Sequence, residues 1–125
     1  MHPLVESFQD YRAQMNARIL GRNNKVINRL FNLDTHAYSE GHLSVKTKEF
    51  IGLAASLVLR CDDCVKYHLQ RCYELNATTE EVFEVFGLAC LIGGTIVIPH
   101  LRRAVEFWDA LHQGRSEHRE APQTT

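Results

Sequence analysis

Hydrophobic and polar residues alternate along most of this chain with the period of amphipathic α-helices. The pattern predicts a first helix from about Leu4 to Leu20 and a second from about Asn24 to Ala37. Gly21 is placed to cap the first helix, and a loop containing Gly41 follows the second. The apolar faces of the two helices consist of Leu4, Phe8, Tyr11, Met15 and Ile19, and of Val26, Leu30 and Leu33.

The middle of the chain predicts two further helices that are close together in sequence. Ser44 is a suitable N-cap for the third, which is expected to end near Leu59. From Phe50 onward this helix is apolar on nearly every side, so we expect it at the centre of the domain or against another subunit. The fourth is predicted from near Cys61 to about Leu75.

The start of the fifth helix is marked by local signals. Asn76 suits the left-handed turn after the fourth helix. Thr78 and Glu81 then form a capping box, in which each side chain bonds the backbone of the other residue. Gly93 and Gly94 predict a break, a kink or a close helix contact at the far end.

The last apolar segment contains a proline. Thr95 to Ile98 has strand propensity, but a lone strand has no partner here, so we expect helix. Pro99 is expected to kink or restart the final helix, which extends to about His112. The side chains expected to point inward are Leu101, Val105, Trp108 and Leu111.

These elements predict an all-α, single-domain bundle of about six helices over residues 1–113. Hydrophobic residues make up 45% and charged residues 23% of the chain, which is typical of a globular protein. The polar residues 114–125 are expected to form a flexible tail. The apolar surface of helices three and five indicates a homo-oligomer.

Charge and composition narrow the range of partners. The 14 basic and 15 acidic side chains are interspersed and give a net charge of −1, which argues against a nucleic-acid partner. No apolar stretch approaches the ~18 residues of a membrane span. The first residues lack the basic and apolar regions of a secretory signal, so we expect a cytoplasmic protein. In that reducing compartment a close cysteine pair is more often catalytic or metal-binding than a permanent crosslink.

The chemistry is expected on one face of the fourth helix. Cys61 and Cys64 are three residues apart, and His68 follows four residues after Cys64, so all three share that face. Such a cysteine pair can cycle between thiols and a disulfide with small adjustments. The helix N-terminus and the imidazole both favour a thiolate, whereas Asp62 and Asp63 oppose it. We expect those two carboxylates to point away from the cysteines.

Glu49 is a further candidate. It lies where the third helix changes from polar to apolar, so its carboxylate is expected to be partly buried, which suits a proton relay. If helices three and four form an antiparallel hairpin near Arg60, Glu49 lies level with residues 68–72. That geometry favours an interaction between Glu49 and His68, either direct or through water, over direct contact between Glu49 and Cys61.

Metal binding is an alternative interpretation of the same residues. A zinc site needs four tetrahedral ligands. Cys61, Cys64 and His68 supply three, so Cys72 or His100 would have to complete the set. No second CxxC motif supports this. Cys72 and Cys90 are expected to be small buried side chains, and His100 a packing residue.

The spacing Glu49, eleven residues, Cys61, two, Cys64, three, His68 resembles the pattern of alkyl hydroperoxidase D-like proteins of the carboxymuconolactone decarboxylase superfamily. The resemblance covers about Gly41 to Leu111. It implies an all-helical fold, a trimeric or hexameric homo-oligomer and thiol-dependent reduction of hydroperoxides, with a dithiol reductant as partner. No cofactor or metal is implied.

By the same resemblance, Cys64 is the thiol that attacks the peroxide, Cys61 resolves it, and His68 and Glu49 move protons. One departure is visible, because the best-known hydroperoxidase D has histidine immediately before its second cysteine and this chain has Asp63. The decarboxylase branch lacks the cysteine pair. Its lyase chemistry on a small acidic lactone would need a cationic pocket, for which the available residues are Arg60, Arg71, Arg102 and Arg103.

Overall fold

A computed structural model describes the backbone of residues 1–119 and the side chains of residues 1–113. Within that part the chain forms six α-helices and one short 3₁₀ turn, with no strand, so the predicted all-α fold is confirmed. The helices are α1 (Pro3–Gly21), α2 (Lys25–Ala37), α3 (Val45–Val58), α4 (Asp62–Glu74), α5 (Thr79–Gly93) and α6 (Ile98–Arg119), with the 3₁₀ turn at Thr95–Val97.

Side-chain caps set most helix starts where the sequence predicts them. The Ser44 hydroxyl accepts a hydrogen bond from the Thr47 N–H at 3.1 Å, and the Thr78–Glu81 capping box is formed in both directions. The end of α1 differs from the prediction. Gly21 is the last helical residue, and Asn23 takes the left-handed conformation instead, with φ 57°.

The core lies around α3, which packs along both α4 and α5, while α6 packs on α4. The second half of α3 is buried on one side, where Leu53 and Leu57 are fully buried, but Ile51 is 54% exposed in the single chain. The indole of Trp108 is also fully buried, and its Nε1–H donates to the Thr79 hydroxyl at 3.0 Å, which joins α6 to the start of α5.

The predicted apolar face of α2 is exposed in the single chain, whereas on α1 Leu4 and Phe8 of the predicted face pack against the core. On α2, Val26, Leu30 and Leu33 are each more than 60% exposed, and no residue of this helix is buried. On α1, Tyr11 is exposed and Val5 is the buried residue. The pattern identified both helices correctly, but within one chain the α2 face has little to pack against.

The α5–α6 connection combines the break and the restart that the sequence predicts. Gly94 has a φ of 82°, a conformation that favours glycine, and ends α5. A Cβ on Gly93 would lie 2.5 Å from Val97 Cγ2, so this is also a close contact. Pro99 lies in the first turn of α6, where its missing N–H costs nothing.

The final helix is longer than predicted. Its backbone continues beyond the expected end near His112 to Arg119. The flexible tail expected over residues 114–125 lies mostly outside the described residues, since only the backbone of residues 114–119 is described.

The α3–α4 connection is a tight turn that leads directly into the cysteine pair. The Arg60 N–H donates to the Leu57 carbonyl and the Cys61 N–H to the Ser56 carbonyl, each at 3.0 Å. Arg60 takes the left-handed conformation with φ 61°. Cys61 is therefore hydrogen-bonded to the end of α3 through its backbone, and it is also the N-cap of α4.

No helix in the described part of the chain combines the length and the apolar character needed to span a membrane.

Candidate active site and family relationships

Cys61 and Cys64 form a disulfide across the first turn of α4, with their Cα atoms 5.3 Å apart. The Cys61 Sγ also accepts a hydrogen bond from the Cys64 N–H at 3.3 Å. That N–H is one of the unpaired donors at a helix N-terminus. The two sulfurs differ in environment, because Cys64 is exposed and Cys61 is half-buried.

Glu49 and His68 form a buried pair between α3 and α4. The His68 Nδ1–H donates to Glu49 Oε2 at 2.7 Å. Glu49 is 1% exposed and His68 is 8% exposed. Because Nδ1 carries the proton, the other ring nitrogen, Nε2, is left as an acceptor. The Nε atom of Arg71 lies 3.5 Å from Glu49 Oε1 and partly balances the buried charge.

The His68 ring is fixed on three sides. Below it lies Gly52 of α3, where a Cβ would be 2.5 Å from His68 Cε1 and 2.7 Å from the Tyr38 hydroxyl oxygen. Tyr38 and Tyr67 flank the ring, with centroids 5.4 and 5.3 Å from it. Burial and then the negative charge of Glu49 raise the pKa of Tyr38 and of Tyr67, so both remain neutral phenols near neutral pH.

A pocket of about 240 Å³ opens beside the exposed cysteine. Cys64 and His68 both line it, so the two residues share one solvent-accessible space. The remaining lining residues are Arg12, Asp34, Asp63 and Tyr67. Asp63 was expected to point away from the cysteine face, but it lines this pocket together with Cys64.

A second pocket, of about 430 Å³, opens on the other side of Tyr67. Glu49, Tyr38 and Arg71 line it, and His68 and Cys64 do not. The Glu49–His68 hydrogen bond therefore connects the two openings.

Asp62 is held away from the cysteines by α6, as expected. His100 Nδ1–H donates to its Oδ1 at 2.8 Å, and Arg103 Nε–H donates to its Oδ2 at 2.9 Å. Partial burial alone would raise the pKa of Asp62, but these two hydrogen bonds and the positive charges outweigh it and lower the pKa. His100 is therefore a packing residue whose hydrogen-bond partner is Asp62, and this bond joins α6 to α4.

The other two cysteines are separate from this site. Cys72 is completely buried, and burial raises the pKa of its thiol to about 12, with a smaller contribution from the charge of Glu49. Cys90 is half-buried against the core. Among the described residues, no group of three or more His, Cys, Asp or Glu side chains is arranged to hold a metal ion.

The sequence analysis named Glu49, Cys61, Cys64 and His68 as candidates but missed several of the residues that lie beside them. Arg12 and Asp34 come from α1 and α2, and no local signal relates them to a motif on α4. Gly52 gave a weak signal, as a glycine within a strongly apolar helix. Two of the four arginines considered for a cationic pocket are paired with carboxylates, Arg71 with Glu49 and Arg103 with Asp62.

Solved structures of similar proteins share the complete fold. A crystal structure from Thermotoga maritima superimposes with a TM-score of 0.87 at 48% sequence identity and covers 90% of this chain and 98% of that one. Another crystal structure from the same organism, of a carboxymuconolactone decarboxylase family protein for which involvement in an antioxidative response has been suggested, gives a TM-score of 0.85 at 47% identity, covering 90% and 95%. A Legionella pneumophila member of that family, solved in an apo form, gives 0.79 at 25% identity, covering 86% and 96%.

Curated relatives match a shorter stretch. An uncharacterised protein of Cupriavidus necator is 32% identical over 76 residues, 61% of this chain and 67% of its own length. An uncharacterised protein of the cox locus of Paracoccus denitrificans is 24% identical over 74 residues, 59% and 67% of the two chains. The sequence model of one family matches residues 25–107, which include the cysteine pair, Glu49 and His68. This chain therefore belongs to the carboxymuconolactone decarboxylase family.

Proposed function

We propose that this protein is a thiol-dependent hydroperoxide reductase that cycles between a Cys61–Cys64 dithiol and the disulfide. One observation carries the proposal: exposed Cys64 shares a pocket with His68, whose opposite ring nitrogen is held by buried Glu49. A nucleophile, a base and a group that orients the base are the parts needed for an activated thiol. The antioxidative role suggested for the Thermotoga maritima relative is consistent with this chemistry.

In the first step, His68 Nε2 accepts the proton of the Cys64 thiol. The thiolate attacks the outer oxygen of the hydroperoxide, so a sulfur–oxygen bond forms and the oxygen–oxygen bond breaks. The departing alkoxide takes the proton from His68 and leaves as an alcohol. Sulfur has lost two electrons, and Cys64 is a sulfenic acid.

In the second step, the Cys61 thiol attacks the sulfur of the Cys64 sulfenic acid. The sulfur–sulfur bond forms, and the hydroxide that leaves takes up the Cys61 proton and departs as water. The 5.3 Å separation of the two Cα atoms lies within the range of disulfides, so the backbone need not move far.

A dithiol partner then restores the thiols. Its thiolate attacks exposed Cys64, and Cys61 leaves as a thiolate that accepts the hydrogen bond from the Cys64 N–H. The partner's second thiol attacks the mixed disulfide and releases Cys64. The net reaction converts a hydroperoxide and a dithiol into an alcohol, water and a disulfide.

The test is consumption of cumene hydroperoxide by the purified protein in the presence of dithiothreitol. Cys64→Ser is expected to reduce turnover to the rate of the reductant alone. Cys72→Ala and Cys90→Ser, which alter the two cysteines outside the site, are expected to retain it. Mass spectrometry after peroxide treatment should show the loss of two hydrogens in the peptide that contains Cys61 and Cys64. Equal turnover by wild type and Cys64→Ser overturns the proposal.

We also propose a homo-oligomer, a trimer or hexamer, in the cytoplasm. The exposed apolar residues of α2 support association, and so do Leu88, Leu91 and Ile92 on α5, each more than half exposed. A dithiol cycle also needs a compartment that keeps the reductant reduced.

Family membership supports a second candidate, a lyase that acts on a small acidic lactone. Its distinguishing result is carbon dioxide release from such a substrate that Cys64→Ser does not alter. The paired states of Arg71 and Arg103 favour the reductase over this reaction.

A further inference from the structure

The pocket beside Cys64 contains one permanent cation, and it comes from a distant part of the chain. Arg12 lies on α1, whereas Cys64, His68, Tyr67 and Asp63 lie on α4. Residue 12 is also outside residues 25–107, the stretch that the family's sequence model matches. The residue is therefore not part of the pattern on which the family is defined.

The guanidinium of Arg12 is held in place over an aromatic ring. Its Cζ lies 4.0 Å from the centroid of Tyr67, a cation–π contact that leaves the N–H groups around its edge available. No ion pair joins Arg12 to a carboxylate of the described residues, although Asp34 and Asp63 line the same pocket. Its charge is therefore not neutralised by direct contact.

We propose that Arg12 supplies the positive charge that stabilises the Cys64 thiolate in this protein. The proposal rests on the proposed function in so far as Cys64 is the attacking thiol. The residue immediately before Cys64 is Asp63, an anion that lines the same pocket and opposes the thiolate. A cation from α1 offsets that repulsion. The guanidinium also reaches the space in which a hydroperoxide would lie, where its N–H groups can donate to the departing oxygen.

Other charged or titratable groups around Cys64 act on its ionisation and are distributed over several helices. These groups are Asp34 of α2, Glu49 of α3, Asp62, Asp63, Tyr67 and His68 of α4, and His100 and Arg103 of α6. Arg103 is hydrogen-bonded to Asp62, and Glu49 acts through its hydrogen bond with His68. Among the residues that line the pocket, Arg12 is the one permanent cation, and no ion pair joins it to a carboxylate of the described residues.

The experiment measures ionisation of Cys64 without using peroxide turnover. In a Cys61→Ser background, the rate of iodoacetamide alkylation of the Cys64 peptide is followed by mass spectrometry from pH 5 to pH 10. Arg12→Gln removes the charge, Arg12→Lys retains it, and Asp63→Asn removes the opposing anion. Arg18→Gln is the matched control on the same helix, since Arg18 contacts Met15 and lines none of the described pockets.

Arg12→Gln is expected to move the midpoint of the alkylation profile upward by about half to one pH unit, which lowers the rate below the midpoint by about three- to tenfold. Arg12→Lys and Arg18→Gln should stay close to the parent protein, and Asp63→Asn should move the midpoint down. The Arg12→Gln difference should shrink in 1 M NaCl, where the screening length falls to about 3 Å.

The same midpoint in Arg12→Gln and in the parent protein overturns the inference. An equal shift in Arg18→Gln also overturns it, because the effect would then be one of net charge. Far-UV circular dichroism verifies that each variant is folded. If Arg12→Gln shifts the midpoint but the wild-type protein consumes no hydroperoxide, the proposed function fails and the electrostatic role of Arg12 stands.

Discussion

Gly52 and His68 are so close that a methyl group on the glycine would lie 2.5 Å from the imidazole Cε1. Real Cβ atoms do not approach this closely, so the ring occupies its position because α3 has no side chain there. At this point α3 presents only backbone to α4, and the imidazole of His68 fills the space that a side chain on residue 52 would occupy.

We predict that Gly52→Ala displaces His68 from Glu49 and lowers hydroperoxide turnover at least tenfold. Overpacking should also lower the free energy of unfolding by about 1–3 kcal/mol. Gly87→Ala is the matched control, since a Cβ on Gly87 of α5 would meet no atom within 4 Å. That substitution should retain activity and raise the free energy of unfolding by up to about 1 kcal/mol. Full turnover by Gly52→Ala would show that the ring position is not needed.

For hydroperoxide turnover, we expect the negative charge of the buried Glu49 side chain to matter more than the shape of that side chain. Glu49→Gln retains an acceptor for His68 Nδ1–H but removes the charge that stabilises the imidazolium formed when Cys64 loses its proton. Hydroperoxide turnover should fall about 100-fold, within the range of general acid–base effects. Glu74→Gln, which alters an exposed carboxylate of α4 paired with Arg71, should have little effect. Turnover of Glu49→Gln within twofold of wild type would assign Glu49 a structural role.

Stability is expected to fall in acid partly through Asp62. Burial raises the pKa of this carboxyl, but the hydrogen bonds from His100 and Arg103 reverse that effect, so its folded-state pKa lies below the ordinary 3.8. The unfolded chain therefore binds more protons in this range, and stability increases with pH there. The contribution of Asp62 is fully present above the unfolded value and is lost as the pH falls through the folded one.

The measurement is urea unfolding of wild type and Asp62→Asn between pH 2 and pH 7. The wild type should be the more stable protein at neutral pH, and the difference should disappear in strong acid. Arg103→Gln, which removes one of the two donors, should show part of the same effect. A difference that does not vary with pH would contradict this origin.

Leu91 of α5 is 81% exposed in the single chain, so we expect another subunit to cover it. Leu91→Lys should convert the oligomer to smaller species in light scattering coupled to size-exclusion chromatography. Leu91→Met keeps the surface apolar and should leave the mass unchanged. A monomeric wild type, or an unchanged mass for Leu91→Lys, would contradict the expected interface.

The sequence predicted the helices well because their caps are local. Ser44 and the Thr78–Glu81 pair each bond within three residues, so their chemistry is visible in a short segment. An interaction between Glu49 and His68, direct or through water, also followed from local rules, because a short connection forces α3 and α4 to run antiparallel. The structure shows that the interaction is a direct hydrogen bond.

The parts that the sequence did not predict depend on contacts between distant segments. Asp63 lines a pocket together with Arg12 of α1 and Asp34 of α2, which are distant from it in sequence. The burial of Val5 in place of Tyr11 depends on how α1 lies against α6, which helical periodicity leaves undetermined. On α2, the predicted apolar residues do lie on one face and are exposed, but helical periodicity does not tell which molecule covers that face.

The connection at Arg60 explains why the distance in sequence between Glu49 and Cys61 is significant. The carbonyls of Ser56 and Leu57 accept the two backbone hydrogen bonds of the turn, and Cys61 directly after it is already the N-cap of α4. The connection therefore contains no extra residue that could absorb a change in length. One added or deleted residue would rotate α4 by about 100° about its axis and carry His68 out of reach of Glu49. Chain length at this turn thus sets how Glu49, His68 and the cysteine pair are aligned, and insertions here should be far less tolerable than in the segment between α2 and α3.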